Sequence, residues 1–345
     1  MPTPKDEADL VEKVLSEASE PFYALDPFCG SGSVSYACAM RGWNVTGLES
    51  NPFLRWAASV RSNCFSAKAA EFVGYAWERV AGDVFWENEQ YRLPEVSGTY
   101  SFGKKQTDYL RRVRLMIDRE KGDENNNLLR MAFCHCLEGI RASDEDGFDD
   151  RVGADIFSAS VETVREPVSV NPKATAQIHL CDSRDMPYTL RRKYDLIVSS
   201  LPEISPNPDA ELLRTYMQWI GFVDFERTDG ISVGYPLGDF DAYMGKYVPD
   251  QSFRMPSSLE ATVSGMEGDR AMYVRRYFEG MRDYFVFSKS IMTSKCTARY
   301  IVRDGEVFGK SIPVAEILAE MIGQCGLRVA GSEKEGQLSL LYVES

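Results

Sequence analysis

The sequence predicts an α/β protein on a doubly wound, mostly parallel sheet, and three stretches carry that expectation. In the first, PFYALDPF at 21–28 is an apolar run entering a glycine turn, and 33–41 has helical spacing. NVTGLES at 44–50 reads as a second strand and 51–63 as a second helix, so strand, turn, helix, strand and helix fit within about 45 residues. In the second, ATAQIHLCDSRDM (174–186) and YDLIVSSLPE (194–203) read as strands that end in polar or turn residues. In the third, a strand at 298–303, a helix at 313–325 and the strand LSLLYV at 338–343 close the chain.

The remaining elements follow in order. Residues 6–19 place Leu10, Val11, Val14 and Leu15 on one helical face, and Gly42 stops the helix of 33–41. One or two helices are expected over 65–92, a surface loop over 93–106 and a basic amphipathic helix over 107–120. An apolar helix covers 126–142, an acidic loop 144–150, and 151–175 shows no clear period. Helices are expected at 209–220 and 270–291. The stretch between them, 221–268, is rich in Gly, Pro, Asp and Ser and too long for a simple connection, which points to a functional loop.

Composition removes several classes. The 345 residues suffice for a full core without disulfides or metal. Hydrophobic residues at 44% and charged residues at 26% exclude a disordered tail, a collagen-like fibre and a coiled coil. No apolar run approaches the ~18 residues of a membrane span. The first twenty residues are polar and acidic, unlike a secretory signal, so a cytoplasmic protein without membrane attachment is expected. The eight cysteines form no C-x-x-C pair and only two histidines occur, which argues against zinc and against a His-based hydrolase. Cys134-His135-Cys136 falls in a helical pattern and reads as core packing. A net charge of −13 counts against a nucleic-acid binder unless the basic residues gather on one face.

The string Leu25-Asp26-Pro27-Phe28-Cys29-Gly30-Ser31-Gly32-Ser33 carries the chemistry. Its glycines let a strand turn sharply into a helix and let backbone approach a ligand. The full D-P-F-C-G-S-G string resembles motif I of the S-adenosylmethionine-dependent amino-methyltransferases, the DNA N6-adenine and N4-cytosine enzymes and their RNA relatives. That resemblance implies a seven-stranded, Rossmann-like class I methyltransferase fold, with S-adenosyl-L-methionine as cofactor. It makes Asp26, Pro27, Phe28, Cys29, Gly30, Ser31 and Gly32 cofactor-binding residues.

The later motifs arrive in the order the resemblance requires. In Gly47-Leu48-Glu49-Ser50-Asn51-Pro52, an acid at a strand end can accept from both ribose hydroxyls, so Glu49 is the ribose ligand. Asn51 matches the family's continuation and also suits an N-cap for the helix from Pro52. Asp182, with Ser183 beside it, sits where the family places an acid near the cofactor's adenine; Asp185 is the weaker candidate.

Ser199-Ser200-Leu201-Pro202-Glu203 occupies the place of the catalytic motif, in which a polar residue precedes Pro-Pro and an aromatic. The resemblance makes Ser200 and the Leu201 carbonyl acceptors for the target amine, and Pro202 the residue that stiffens the turn. Leu201 replaces the first proline, and Glu203 replaces the aromatic that stacks on the flipped base. Tyr188 and Tyr194 are alternative stackers. Three readings stay open: an active enzyme with an altered base pocket, an enzyme for a different amine, and a silent subunit.

The segment 273–281 resembles a YF-x-x-M helix of the same enzymes, and 305–313 their closing segment. Basic residues cluster at 101–121 (Lys104, Lys105, Arg111, Arg112, Arg114, Arg119, Lys121), at Arg184 and Arg191–Lys193, and at Arg275, Arg276 and Arg282. They suit either a phosphate-binding cleft or solvated faces. The expectation is thus one methyltransferase domain over 1–345, with an insertion at 93–175 and a target-recognition loop at 221–268. It would methylate adenine N6 or cytosine N4 of DNA in a modification or defence system, Ser200 leaning toward cytosine. The alternatives are an RNA methyltransferase, or a silent cofactor-binding subunit with a protein partner.

Overall fold

The structure, a computed structural model, describes residues 5–63, 67–165, 174, 176–230 and 233–345. In chain order they form α1 (Lys5–Ser16), β1 (Ala24–Asp26), α2 (Ser33–Met40), β2 (Val45–Glu49), α3 (Pro52–Asn63), α4 (Ala67–Val84), α5 (Lys104–Arg119), α6 (Asp123–Ala142) and α7 (Asp150–Arg165). There follow β3 (Ala176–Leu180), α8 (Met186–Thr189), β4 (Tyr194–Ser200), α9 (Ala210–Ile220), α10 (Phe225–Gly230), α11 (Phe240–Gly245), α12 (Ser257–Val263) and α13 (Gly268–Ile291). The chain closes with β5 (Met292–Arg303), β6 (Gly305–Val307), β7 (Lys310–Ile312), α14 (Val314–Gln324), β8 (Arg328–Glu335) and β9 (Leu338–Glu344).

Two compact units emerge. One comprises 2–58, 172–208 and 224–345; the other comprises 59–171 and 209–223. The first holds a seven-stranded sheet in the order β3-β2-β1-β4-β5-β9-β8. The pairs β2–β3, β1–β2, β1–β4 and β4–β5 are parallel, while β9 runs antiparallel to both β5 and β8. This is the doubly wound, mostly parallel sheet expected from the sequence.

Strand alternation explains why both faces are covered. On β1, Leu25 joins one core with Ile197, Tyr273, Phe278, Met281 and Tyr284, while Ala24 joins the other with Leu10, Val14, Val34 and Cys38. On β4, Ile197 serves the first core and Leu196 and Val198 the second. Buried on two sides, such strands read as continuous apolar runs.

The second unit is helical. Trp77 and Phe157 meet at 4.4 Å, and Phe133 and Trp219 at 5.7 Å. A Cβ on Gly153 would lie 2.7 Å from the Tyr109 ring, so glycine there lets α7 approach α5. Cys134 and Cys136 are buried in α6, and burial pushes His135 down to about 4, as core packing requires.

Several stretches differ from expectation, among them Arg328–Glu335, which forms β8, and the β6–β7 hairpin, neither expected as strand. The segment from 151 holds α7, whose Phe157, Val161 and Val164 fall on one buried face; residues 166–173 and 175 lie outside the described residues, as does Cys64. The stretch 221–268 contains α10, α11 and α12 rather than plain loop. The helical excursion also begins at 59, earlier than 93, and takes in α9. Among the described residues no helix is long and apolar enough to cross a membrane.

Candidate active site

Parallel pairing aligns the ends of β1, β2, β3 and β4, and that register gathers the motifs. Glu49 pairs in register with Leu180, and Asp26 with Gly47. Leu25 lies opposite Ile197, and Ser200 opposite Ile301. Asp26, Glu49, Asp182 and Ser200 therefore stand at the carboxyl edge of one sheet, where open α/β sheets bind ligands.

The glycine loop is built by two different constraints. Gly30 (φ 52°) and Gly32 (φ 86°) both adopt left-handed backbone. A Cβ on Gly32 would lie 2.8 Å from Ala58 Cβ and 2.9 Å from Ala58 Cα, so α2 approaches α3 only through glycine. A Cβ on Gly30 would meet no atom within 4 Å: that position faces open space.

Glu49 closes the loop. Its Oε2 accepts the Gly30 amide at 2.9 Å and its Oε1 the Asn51 amide at 2.7 Å. The Ser50 amide and hydroxyl also donate to it, so the ribose hydroxyls of a ligand would have to share or displace these donors. Burial raises the Glu49 carboxyl to about 7, against the lowering effect of those amides. Asn51 is buried, and its side-chain oxygen caps α3 by accepting the Phe53 and Leu54 amides at 2.9 and 3.2 Å.

Asp26 lies beneath the loop. It is 1% exposed; Ser199 Oγ donates to its Oδ1 at 2.7 Å and Ser35 Oγ to its Oδ2 at 3.3 Å. Ser199 Oγ in turn accepts the Phe28 amide at 3.1 Å. Ser199, missed by the sequence reading, thus ties the strand carrying Ser200 to the glycine loop. Burial raises the Asp26 carboxyl to about 7, opposed by the two hydroxyls. Asp26 acts here by holding the loop.

The third strand end is also linked in. Ser183 Oγ donates to the Pro27 carbonyl. Asp182 accepts the Arg184 amide at 2.9 Å and pairs with the Arg184 guanidinium at 2.6 to 3.0 Å, which occupies both of its oxygens. An adenine amine would compete with Arg184 for that carboxylate. The Phe28 ring packs on Tyr284 at 4.8 Å, Cys29 is buried, and Pro27, Ser31 and Gly32 complete the turn.

The turn from Ser200 to Ile204 is held from outside. The Leu201 amide donates to the Ile301 carbonyl at 2.9 Å. Tyr277 Oη donates to the Pro202 carbonyl at 2.7 Å, and Tyr273 Oη to the Ile204 carbonyl at 2.6 Å. No described residue hydrogen-bonds the Ser200 hydroxyl or donates to the Leu201 carbonyl. Glu203 is exposed and pairs with Arg303 at 3.0 Å. Of the alternative stackers, Tyr194 is buried at the opposite end of β4 from Ser200, and Tyr188 is 80% exposed on α8.

Several arginines of the basic clusters are paired internally. Arg112 pairs with Asp150 at 2.6 Å, Arg119 with Glu87 and Glu89, and buried Arg114 with Asp118. Arg275 pairs with Glu279 at 2.6 Å, Arg282 with Asp250 and Asp283, and Arg276 donates to the Tyr243 carbonyl at 2.7 Å. Among the described residues no group of three or more His, Cys, Asp or Glu could hold a metal.

No family model and no curated protein matches the chain. Among solved structures, two of the rRNA methyltransferase aviRa from Streptomyces viridochromogenes resemble it at 12% identity and a TM-score of 0.35, covering 100% of this chain and 86% of that chain. Likenesses this distant do not bear on activity.

Proposed function

We propose that this chain is an S-adenosylmethionine-dependent methyltransferase that methylates an exocyclic amine of a nucleic-acid base, adenine N6 or cytosine N4 of DNA. The observation that carries the reading is the meeting, at one sheet edge, of an open left-handed glycine loop, the Glu49 carboxylate at a strand end and a Ser200–Leu201 acceptor pair that no described residue engages. Gly30 and Glu49 would hold the methionine and ribose parts of the cofactor. The cofactor supplies an electrophilic sulfonium methyl when bound.

The chain's own part is positioning. Ser200 Oγ and the Leu201 carbonyl would accept the two amine hydrogens, which turns the nitrogen lone pair away from the protein and toward the methyl. Pro202, fixed through its carbonyl by Tyr277, keeps those acceptors still. Ser200→Ala is expected to lower kcat about tenfold, the worth of one hydrogen bond, with cofactor affinity unchanged. Isotope-transfer rates and calorimetry check both halves.

The deciding experiment is tritium transfer from labelled cofactor to mixed DNA and RNA, with and without cell lysate. Label in DNA amines supports the reading, and label in RNA alone makes this an RNA methyltransferase. Glu203, held by Arg303 where a stacking ring would serve a flipped base, favours the second reading of a silent, cofactor-binding subunit. Cofactor binding without transfer to either substrate, and co-purification with a protein partner, would establish that reading instead.

A further inference from the structure

Next to the catalytic turn lies a cluster of rings that its hydrogen bonds leave unexplained. The Tyr235 amide donates to the Glu203 carbonyl at 3.3 Å. A Cβ on Gly234 would lie 3.0 Å from that same carbonyl, so glycine is what lets this segment approach the turn. The Tyr235 ring stacks on Phe240 at 5.6 Å with an interplanar angle of 25°. Phe240 lies 5.6 Å edge-on to Phe308, and Tyr273 packs beneath all three at 5.4 to 6.1 Å.

Tyr273 is buried, Tyr235 and Phe240 are half-buried, and Phe308 is 37% exposed. Phe308 also sits at a costly place. It is the first residue of the two-residue turn between β6 and β7, and both Phe308 (φ 54°) and Gly309 (φ 74°) are left-handed. Such turns call for Asn-Gly or Asp-Gly, and a bulky residue there is strained by about 1 kcal/mol or more. A hairpin that needed only to turn would not carry phenylalanine at that position. The Arg270 guanidinium stands 5.4 Å over the Phe308 ring. On the Phe240 side, the acids Asp239 and Asp241 disfavour a phosphate; Tyr235 and Phe240 turn one face to each other and Arg270 covers part of Phe308, so it is the ring surface still exposed that suits an uncharged flat group.

We infer that Tyr235, Phe240 and Phe308 form a stacking surface for an unpaired nucleobase of the substrate strand, with Arg270 on the side of its phosphate. The inference rests on the nucleobase reading above. It adds which chemistry replaces the ring absent at Glu203: aromatic faces delivered by a loop and a hairpin, anchored to the carbonyl of Glu203 itself. Every base has a π-face, so the surface tolerates sequence and selects single-stranded or flipped-out substrate.

The test uses short mixed-sequence single-stranded oligonucleotides, DNA and RNA in separate arms, carrying a fluorescent purine analogue. Wild type is expected to bind and quench the analogue, with Tyr235→Phe within about twofold. Tyr235→Ala and Phe308→Asn should each weaken binding about fivefold or more and lose the quenching. Phe308→Asn relieves left-handed strain but loses ring packing on Phe240 and Tyr273, so its thermal midpoint should move little, and the midpoint measured on each variant separates lost binding from lost folding. The arm with the tighter binding names the sugar. Wild-type affinity in both variants, or no binding and quenching by wild type, overturns the inference. Cofactor calorimetry on the same samples judges the methyltransferase reading separately.

Discussion

Glu49→Ala is expected to weaken S-adenosylmethionine binding at least tenfold, and wild-type affinity should itself rise about tenfold between pH 6 and pH 8. Hydrogen bonds to a charged acceptor contribute about 1.5–3 kcal/mol each, so losing even one ribose contact is worth a factor of ten or more. The pH effect comes from the same carboxyl. Burial holds it near 7, so below that value the empty site carries a proton that binding to the ionised form must expel. Affinity then falls tenfold per pH unit below 7 and levels off above about 8. Glu49→Gln should bind weakly at every pH, with a flat profile. Equal affinity of Glu49→Ala and wild type would remove Glu49 from the site.

Folding stability of the unliganded protein follows the opposite direction. Asp26 and Glu49 both rise to about 7 in the fold from ordinary values of 3.8 and 4.5. Between those values and 7 the folded state binds more protons than the unfolded one. Their contribution is fully present at low pH and is lost as pH rises through that window. A bound cofactor that satisfies the ionised Glu49 offsets that loss, so ligand-induced stabilisation grows as unliganded stability declines.

Most of the sheet was legible because its strands are apolar runs, several closed by the very residues that carry chemistry; β8, RVAGSEKE, was not, since its side chains are mostly polar and exposed. Gly30, Gly32 and Glu49 announced themselves at strand ends. What stayed hidden depended on contacts distant in sequence. Arg112 and Arg119 look like a basic stripe until Asp150, Glu87 and Glu89 are seen against them. Helices α10, α11 and α12 run 6 or 7 residues, too short for a helical period to stand out. Tyr194 suits stacking by sequence, yet it is buried in the first core at the start of β4, before a register shift that separates it from Leu196. Ser199 is not marked by the motif, yet a serine next to Ser200 in a strand points to the other face, toward Asp26.

The two motif glycines, alike in sequence, should fail in opposite ways. Gly32→Ala meets Ala58 Cα at 2.9 Å, which is backbone and cannot rotate aside, in left-handed conformation at φ 86°. Left-handed strain of about 1–2 kcal/mol adds to overpacking of similar size, for a destabilisation of about 3 kcal/mol. Denaturant titration should register that loss even without cofactor. Gly30→Ala meets nothing within 4 Å, so it bears only the backbone strain, about 1 kcal/mol, and folds. Its methyl group, however, enters the space the proposed cofactor would fill, beside the amide held by Glu49. Calorimetry should show cofactor affinity falling at least tenfold in Gly30→Ala, while its denaturation midpoint falls only about a third as far as that of Gly32→Ala. A Gly30→Ala protein that binds cofactor as wild type does would place the ligand elsewhere than over this loop.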